Sequence, residues 1–429
     1  MDENKLKNQL NADHVNERLD AVSKLRELID AGKIPAPERT GDTNNHVHTT
    51  YSFSPYSPSA AVYHAYMAGL STVGIIDHDS VSGTREFIEA GKRMGITTTI
   101  GCEVRASYAN TQVAGRMINN PDETSVGYMT LHGLPHNRID DMDRFLFGIR
   151  EKRNERNARQ VAKLNDILAP FGLRLDFIQD VLPVSKAAEG GSVTERHILF
   201  ALSHKIIEKY GKGAPILDFL QNDLHMQIGG PAAERLLDTA FYAYDYDLLN
   251  ILKAQLVPRF YISGGEDILP IRDVIDFART LNVIPAYTYL GDIAESPTGD
   301  KKTEHFEDSY LDELFALASE LKFEAIAYMP SRNTREQLRR VMDKCTQYGF
   351  LEISGEDINQ PRQSFLCKQL REPEFAHLVT NTWALVGHEH AAEQNPNDSF
   401  YSEQSKQTWP DLRDRIEHFA EQGRQYSRP

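Results

Sequence analysis

Histidine and carboxylate side chains recur in this sequence where predicted strands run out into loops. His46 and His48 lie two residues apart, and alternate residues of an extended strand point to the same face. His78 follows the next apolar segment, and Glu103 follows the one after that. The full set of candidate metal ligands is His46, His48, His78, Glu103, His132, His197 and Asp357.

Five imidazoles and two carboxylates at one level of a fold are hard to explain by packing alone. Buried ring nitrogens need hydrogen-bond partners, and this group would need many of them in one place. Metal ions meet that need. Nitrogen and oxygen ligands without a thiolate favour Zn²⁺, Mn²⁺ or Fe²⁺ over Ca²⁺ or Mg²⁺. The sequence therefore predicts a divalent-metal site.

Short apolar strands alternating with helices would position these side chains. The predicted strands after the first histidine pair lie at 71–76, 96–100, 128–131, 283–287, 323–328 and 350–354. Such alternation is typical of a parallel sheet or a closed β/α barrel. In β/α barrels the active site is built at the carboxyl ends of the strands.

Three helical segments interrupt or flank the predicted barrel. Residues 1–40 and 374–429 are predicted to be terminal helical extensions of a barrel region at 41–373. A helical insertion is predicted at about 138–245. It begins with an arginine-rich helix at 141–168, which we expect to be solvated, with a basic binding face as the alternative.

The composition is that of an ordinary globular chain, with 40% hydrophobic and 25% charged residues among 429. A net charge of −15 argues against a broad nucleic-acid-binding surface, which needs a basic field. The apolar runs are too short to span a bilayer, and the N-terminus offers no apolar signal region. We therefore expect a cytoplasmic protein without a membrane partner. Its three cysteines are too few for a disulfide framework.

The stretch from His46 to Arg105 resembles the PHP (polymerase and histidinol phosphatase) family. The motifs that carry the resemblance are HVHTTYS, VGIIDHDSVSG and GCEV, followed in the family's order by Leu131–Gly133, Glu195–His197 and Ser354–Asp357. The resemblance spans roughly residues 44–373. It implies a distorted seven-stranded β/α barrel, a TIM-like fold, that holds two or three metal ions and activates water for phosphoester hydrolysis.

The resemblance also implies how the metals share their ligands. The first site would take His46 and His48 as a pair, closed by Asp357. Glu103 would bridge the first and second metals. His132 would serve the second metal.

A third metal would be held by His78 and His197, and here the chain departs from the family pattern. Phe53 stands where family members usually carry an aspartate or histidine, Tyr287 where an AHP-like motif is expected, and Asn359 where a DxH histidine is expected. Each departure removes a ligand or a catalytic histidine. The side chains that could compensate are Asp77, Tyr287 and Asp292.

Arginines are expected to neutralise the phosphate oxygens together with the metals. Arg105 is the best candidate for a catalytic role because it lies two residues beyond Glu103 on the same strand face. Asp79 and Tyr287 are candidates for protonating the leaving group in place of the missing histidine. The further substrate-binding candidates are Arg196, Arg332, Arg362 and Tyr287.

Together these features predict a metal-dependent phosphoesterase that acts on a small phosphorylated metabolite or nucleotide. One alternative is a related metal-dependent hydrolase that cleaves a C–N or C–O bond, because the same activated water attacks carbonyl groups. Another is a degenerate barrel that binds a metal or metabolite without turnover. The family's barrel also occurs in replicative polymerases, but no polymerase region is recognised here, so a nucleic-acid polymer is not the expected partner. The N-terminal helix suggests a homo-oligomer.

Overall fold

The computed structural model describes residues 2–292 and 305–426. Within these ranges the strands are β1 (Thr43–Val47), β2 (Thr72–His78), β3 (Thr97–Ser107), β4 (Val126–His132), β5 (Leu269–Pro270), β6 (Ile284–Thr288), β7 (Ala325–Tyr328) and β8 (Leu351–Ser354). The helices of the N-terminal half are α1 (Glu3–Gln9), α2 (Val15–Asp30), α3 (Pro58–Met67), α4 (Thr84–Met94), α5 (Ile139–Leu168), α6 (Glu195–Tyr210) and α7 (Ala214–Asp218). Those of the C-terminal half are α8 (Gly230–Leu237), α9 (Tyr244–Phe260), α10 (Ile271–Thr280), α11 (Leu311–Glu320), α12 (Arg335–Tyr348), α13 (His377–Gln394), α14 (Glu403–Thr408) and α15 (Leu412–Tyr426).

Seven strands form one mixed sheet in the order β1-β2-β3-β4-β6-β7-β8, and β5 pairs with β3 beside this path. All neighbours on the path are parallel except β4, which runs antiparallel to both β3 and β6. The sheet nearly closes where β1 meets the chain after β8. There the N–H of His48 donates to the Ile358 carbonyl at 3.0 Å, and the N–H of Ile358 donates to the His46 carbonyl at 3.1 Å. The predicted distorted, TIM-like barrel is confirmed.

The helices of the insertion share a hydrophobic core of their own, built mainly from the leucine-rich faces of α5, α6 and α9. Helix α5 is not the solvated helix that its charge predicted, because Arg150, Arg153 and Arg156 are buried. Arg153 donates to Asp79 at 2.6 Å and to Glu195 at 3.2 Å, and Arg156 donates to Glu195 at 3.0 Å. The arginines can be buried because carboxylates pair with them, Asp79 from the barrel and Glu195 from helix α6 of the insertion itself.

The C-terminal helices close the amino-terminal end of the barrel. The Glu389 carboxylate of α13 accepts the N–H of Ile100 in β3 at 2.7 Å. Small residues of β6 and β7, including Ala286 and Ala325, pack with Phe419 of α15 in one apolar cluster. The amino-terminal end of the barrel is therefore a packed core, and the carboxyl ends of the strands remain accessible as the place for an active site. Within the described part of the chain, no helix combines the length and apolar character that crossing a membrane requires.

The N-terminal extension consists of two helices, and the longer one, α2, packs on α3 and α4 of the barrel. It ends before Gly32, whose φ of +67° suits a residue without a side chain. Arg18 of α2 is buried and makes two hydrogen bonds to the Glu86 carboxylate of α4, at 2.9 and 2.6 Å. This bidentate pair ties the extension to the barrel.

We expect Arg18→Met to lower the free energy of unfolding by about 3–5 kcal/mol, because it leaves the Glu86 carboxylate buried without its cation. Urea denaturation followed by circular dichroism measures the change. The control is Arg93→Met, which breaks a partly exposed i,i+4 pair with Glu89 and should cost less than about 1 kcal/mol. Equal effects of the two substitutions would contradict the role of the buried pair.

Candidate metal centre

The ends of β1 and β3 bring two histidines and a glutamate together. His46 and His48 flank Val47, the last residue of β1. One ligand atom from each of His46, His48 and Glu103 lies within 4.8 Å of the others. The Glu103 carboxylate is 3.8 Å from Nε2 of His46 and 4.0 Å from Nε2 of His48. Atoms at these separations can converge on one ion, since zinc bonds to such ligands are about 2.0–2.2 Å long.

His78 and Asp357 extend this group on two sides. The sheet register pairs His78 of β2 with Glu103 of β3, and Nδ1 of His78 lies 2.9 Å from Oε2 of Glu103. Oδ1 of Asp357 lies 3.2 Å from Nε2 of His48. The rings of His48 and His78 are stacked, with their centroids 4.5 Å apart. Five of the seven predicted ligands therefore form one contiguous cluster.

Burial and mutual contacts set the protonation of this cluster. Burial lowers the pKa of His46 and lowers that of His78 well below its ordinary value, whereas it raises the pKa of Glu103. Burial alone would raise the pKa of Asp357, but the hydrogen bond and charge of His48 hold that pKa well below its usual range. Burial alone would lower the pKa of His48, but the same hydrogen bond raises it. Neutral imidazoles and ionised carboxylates are the forms that bind metals.

His132 reaches the same cavity from the antiparallel strand β4, where it lies opposite Gly101 of β3. Its side chain is buried, and its Nε2 atom has no hydrogen-bond partner among the described residues. Burial lowers the pKa of His132 to about 3. A neutral ring nitrogen that is buried and unpartnered fits the requirements of a metal ligand.

His197, the seventh predicted ligand, lies behind the wall of the cavity. It belongs to the first turn of α6, and its Nδ1 atom accepts the N–H of Thr194 at 3.0 Å. Its ring packs edge-on against Phe53, with the centroids 5.0 Å apart. Burial lowers the pKa of His197 to about 3. Its assignment as a ligand stays a prediction.

Asp77 supports the centre from below. Its carboxylate accepts three hydrogen bonds of 2.6 Å, from the backbone and the hydroxyl of Thr49 and from the hydroxyl of Ser52. The Ser52 hydroxyl also lies 3.3 Å from Nδ1 of His48. These bonds fix the loop after β1 and orient the His48 ring, as supporting residues around metal sites do. In the structure, Asp77 thus acts as a residue that positions His48 rather than as a metal ligand.

A cavity of about 180 Å³ opens over the ligands. Its wall includes His46, His78, Glu103, His132 and Asp357. Three cationic side chains also line it, and these are Arg153, Arg196 and Lys253. Besides the candidate ligands, the wall therefore carries three cationic side chains and two carboxylates, Asp122 and Glu195.

Among the arginines predicted from the sequence, the structure places Arg196 on the cavity wall. Arg105 is buried outside it and pairs with Asp267 at 2.9 Å. Arg362 pairs with an aspartate of α9 at 2.9 Å. Arg332 donates to a backbone carbonyl at 3.2 Å. Arg105, Arg332 and Arg362 do not line the cavity, so their predicted roles stay predictions.

Asp79, Tyr287 and Asp292 also lie outside the cavity lining. The Asp79 carboxylate accepts a hydrogen bond from Arg153 at 2.6 Å. The Tyr287 hydroxyl donates to Glu307 at 3.2 Å, and burial raises the pKa of that carboxyl to about 7. Asp292 accepts a backbone N–H at 2.6 Å. These three side chains make hydrogen bonds to other parts of the protein, and their catalytic or ligand roles stay predictions.

Sequence reasoning missed Arg153 and Lys253 as residues of the site. Both come from the insertion, Arg153 from α5 and Lys253 from α9. A usable signal existed for Arg153, which follows Leu146 by seven residues. Two helical turns separate such residues, so Arg153 lies on the apolar stripe of its helix, where burial is expected. Lys253 has the same signal, because it follows Leu249 by four residues and precedes Phe260 by seven on the apolar stripe of α9.

Residues 44–179 match the PHP domain family, so this part of the chain is a PHP domain, as its motifs predicted. A stretch of 66 residues is 38% identical to an error-prone DNA polymerase from Nocardia farcinica. A stretch of 63 residues is 33% identical to a 5′-3′ exoribonuclease from Haemophilus influenzae. Each match covers 15% of this chain, but only 6% of the polymerase and 23% of the exoribonuclease.

Two solved structures share the fold over most of the chain. A protein from Bifidobacterium adolescentis, provisionally assigned as a metal-dependent phosphoesterase, has a TM-score of 0.51 and 18% identity over 80% of this chain and 96% of its own. An amidohydrolase from Chromobacterium violaceum, solved with sulfate and without metal, has a TM-score of 0.50 and 14% identity over 79% of this chain and 96% of its own. At these identities the similarity supports the TIM-like fold.

The substitution His132→Leu should separate metal binding from stability. We expect the metal content to fall, while the metal-free protein keeps its stability or gains about 1 kcal/mol because an unpartnered buried nitrogen is removed. Elemental analysis measures the first effect, and thermal unfolding with a chelator measures the second. The control His204→Leu, at a partly exposed ring, should leave the metal content unchanged. Unchanged metal in His132→Leu would contradict the ligand role.

Proposed function

We propose that this chain, which carries a PHP domain at residues 44–179, is a metal-dependent hydrolase that cleaves a phosphate ester of a small molecule. The observation that carries the proposal is the cluster of His46, His48 and Glu103 beside a cavity with cationic side chains. The cluster suits a divalent metal, and the cations suit an anionic substrate.

Two neighbouring ions would share the ligands through Glu103. Their ligand set would be His46, His48, His78, Glu103, His132 and Asp357. Imidazole and carboxylate ligands suit Zn²⁺, Mn²⁺ or Fe²⁺. Such ions supply Lewis acidity and lower the pKa of a water ligand from its high value in bulk water towards about 7. The protein's own part is to hold the rings in place, which Asp77 does through the loop of Thr49 and Ser52.

The cationic wall of the cavity favours a phosphorylated substrate. Arg196 and Lys253 add positive charge to a wall that also carries the carboxylates of Asp122 and Glu195, and arginine matches the geometry of phosphate oxygens. Arg153 is held in one orientation because Asp79 and Glu195 both accept hydrogen bonds from its guanidinium. The cavity volume of about 180 Å³ is small beside the roughly 300–1,000 Å³ of sites for larger ligands. A small phosphorylated metabolite, or the phosphorylated end of a nucleotide, fits these limits.

The names of three similar proteins support chemistry at phosphorus, whereas the fourth is an amidohydrolase. The three are a 5′-3′ exoribonuclease, an error-prone DNA polymerase and a provisionally assigned metal-dependent phosphoesterase. The acidic net charge of this chain nevertheless favours a small substrate over a long nucleic acid. A nucleoside phosphate satisfies both constraints, because it is small and carries a phosphate ester.

The direct test is phosphate release by the protein after reconstitution with Mn²⁺, Zn²⁺ or Fe²⁺. The substrates are p-nitrophenyl phosphate, bis(p-nitrophenyl) phosphate and nucleoside 3′- and 5′-monophosphates. Turnover should require metal, and Glu103→Gln should reduce kcat/KM by at least about 100-fold, the upper end of the cost of losing a supporting partner of a metal site. The matched control Glu313→Gln, at an exposed carboxylate paired with Arg116, should have wild-type activity.

Three outcomes would contradict the proposal. The first is ester hydrolysis that persists in the presence of a chelator. The second is hydrolysis of amides or lactones without turnover of any phosphate ester, which would favour the chemistry named for the amidohydrolase neighbour. The third is tight metal binding without turnover of any of these substrates, which would favour a binding role.

A further inference from the structure

The side of the cavity next to α6 carries residues that do not suit a metal. The residues that meet there are Phe53, Arg196, His197 and Asn359. At two of these positions, 53 and 359, the chain departs from the family pattern that predicts a third metal. The structure shows how the four side chains fit together instead.

Neither ring nitrogen of His197 has a free lone pair that could bind a metal. Its Nδ1 atom accepts the N–H of Thr194 at 3.0 Å, so the neutral ring carries its proton on Nε2. Its ring packs edge-on against Phe53, which is buried and belongs to the core of the insertion. The hydrophobic side chain thus fills the place beside His197 where an ion would need a carboxylate or imidazole.

Asn359 is committed as well. Its side-chain amide N–H donates to Oδ1 of Asp357 at 2.7 Å, and its amide oxygen accepts from the Arg196 guanidinium at 2.9 Å. The guanidinium also lies 6.0 Å from the centroid of the Phe53 ring. Asn359 therefore connects a candidate ligand, Asp357, with a fixed positive charge that lines the cavity.

A third ion does not fit this arrangement. It would find an apolar ring at position 53, a protonated ring nitrogen at His197 and an amide already bonded at Asn359. It would also lie close to the charge of Arg196, and like charges repel strongly where water is excluded.

We infer that Arg196, held by Asn359, supplies the positive charge that a third metal would otherwise bring, so that the centre holds at most two ions and Arg196 binds an anionic group of the substrate. This inference rests on the proposed function, because it assumes that the remaining ligands hold metal. Guanidinium groups bind phosphate oxygens through paired hydrogen bonds. The arrangement makes Arg196 a substrate-binding residue whose orientation depends on Asn359.

Metal stoichiometry tests the first half of the inference independently of activity. We expect no more than two equivalents per chain by elemental analysis of reconstituted protein, and the same number in His197→Gln. The matched variant His132→Gln should lose metal. A third equivalent that disappears in His197→Gln would overturn the inference and leave the proposed function standing. No bound metal in the wild type would overturn both.

Binding of inorganic phosphate, measured by calorimetry on the metal-loaded protein, tests the second half. Arg196→Met should weaken the affinity by about 10- to 100-fold, the range expected for lost hydrogen bonds between charged groups, without a change in metal content. Arg196→Lys should recover part of the affinity, and added guanidinium should partly rescue Arg196→Met. The control Arg335→Met, at an exposed arginine paired with Glu372, should bind phosphate like the wild type. Phosphate affinity within twofold of the wild type in Arg196→Met would overturn the inference.

Discussion

The buried carboxylate of Glu103 is the constraint on which the site depends. It lies within 4.0 Å of ring nitrogens of His46, His48 and His78, and its residue is 6% exposed. A carboxylate removed from water costs several kcal/mol unless its charge is paired. A divalent cation would pair it and would also satisfy the surrounding rings. The meeting of these groups follows from topology, because β1, β2 and β3 are adjacent and parallel and end at the same edge.

The rest of the fold serves this edge in two ways. The C-terminal helices fill the opposite end of the barrel, so that Glu389 satisfies the backbone of β3 and apolar side chains exclude water from below. The insertion supplies a second set of charges, in which Arg153 and Arg156 meet Glu195. Arg153 also donates to Asp79, which follows β2, and this bond anchors the insertion to the barrel and fixes one cation on the cavity wall. The candidate metal ligands and the arginines of the insertion therefore lie side by side but have different roles. The ligands suit a metal ion, and the arginines suit an anion.

Local sequence patterns predicted the alternating strands and helices and the core of the site, whereas the resemblance to the PHP family was needed to predict a closed barrel rather than an open parallel sheet. The two-residue period of a strand places His46 and His48 on one side, and the apolar strands before His78 and Glu103 place them at the same level. The direction of β4 could not be predicted in this way. Residues 108–125, between β3 and β4, contain no helix, and this missing crossover is the only local sign that the strand runs antiparallel.

Residues whose environment depends on distant segments were beyond local patterns. Arg105 shares a strand face with Glu103, but Asp267, more than 160 residues later, draws its guanidinium into a buried pair outside the cavity. The backbone of Thr194 likewise engages the ring that made His197 a candidate ligand. The spacing of residues in the sequence shows which side chains share a face of a strand or helix. The hydrogen-bond partner of each side chain depends instead on tertiary contacts.

Anomalous diffraction from crystals reconstituted with Zn²⁺ would show whether His46, His48 and Glu103 bind a metal. We predict an anomalous peak bonded to Nε2 of His46, Nε2 of His48 and the Glu103 carboxylate, at the distances of about 2.0–2.2 Å that zinc makes with such ligands. A fully loaded crystal with no peak among these three residues, or with its metal bound elsewhere on the chain, would contradict the assignment of this cluster as a metal centre.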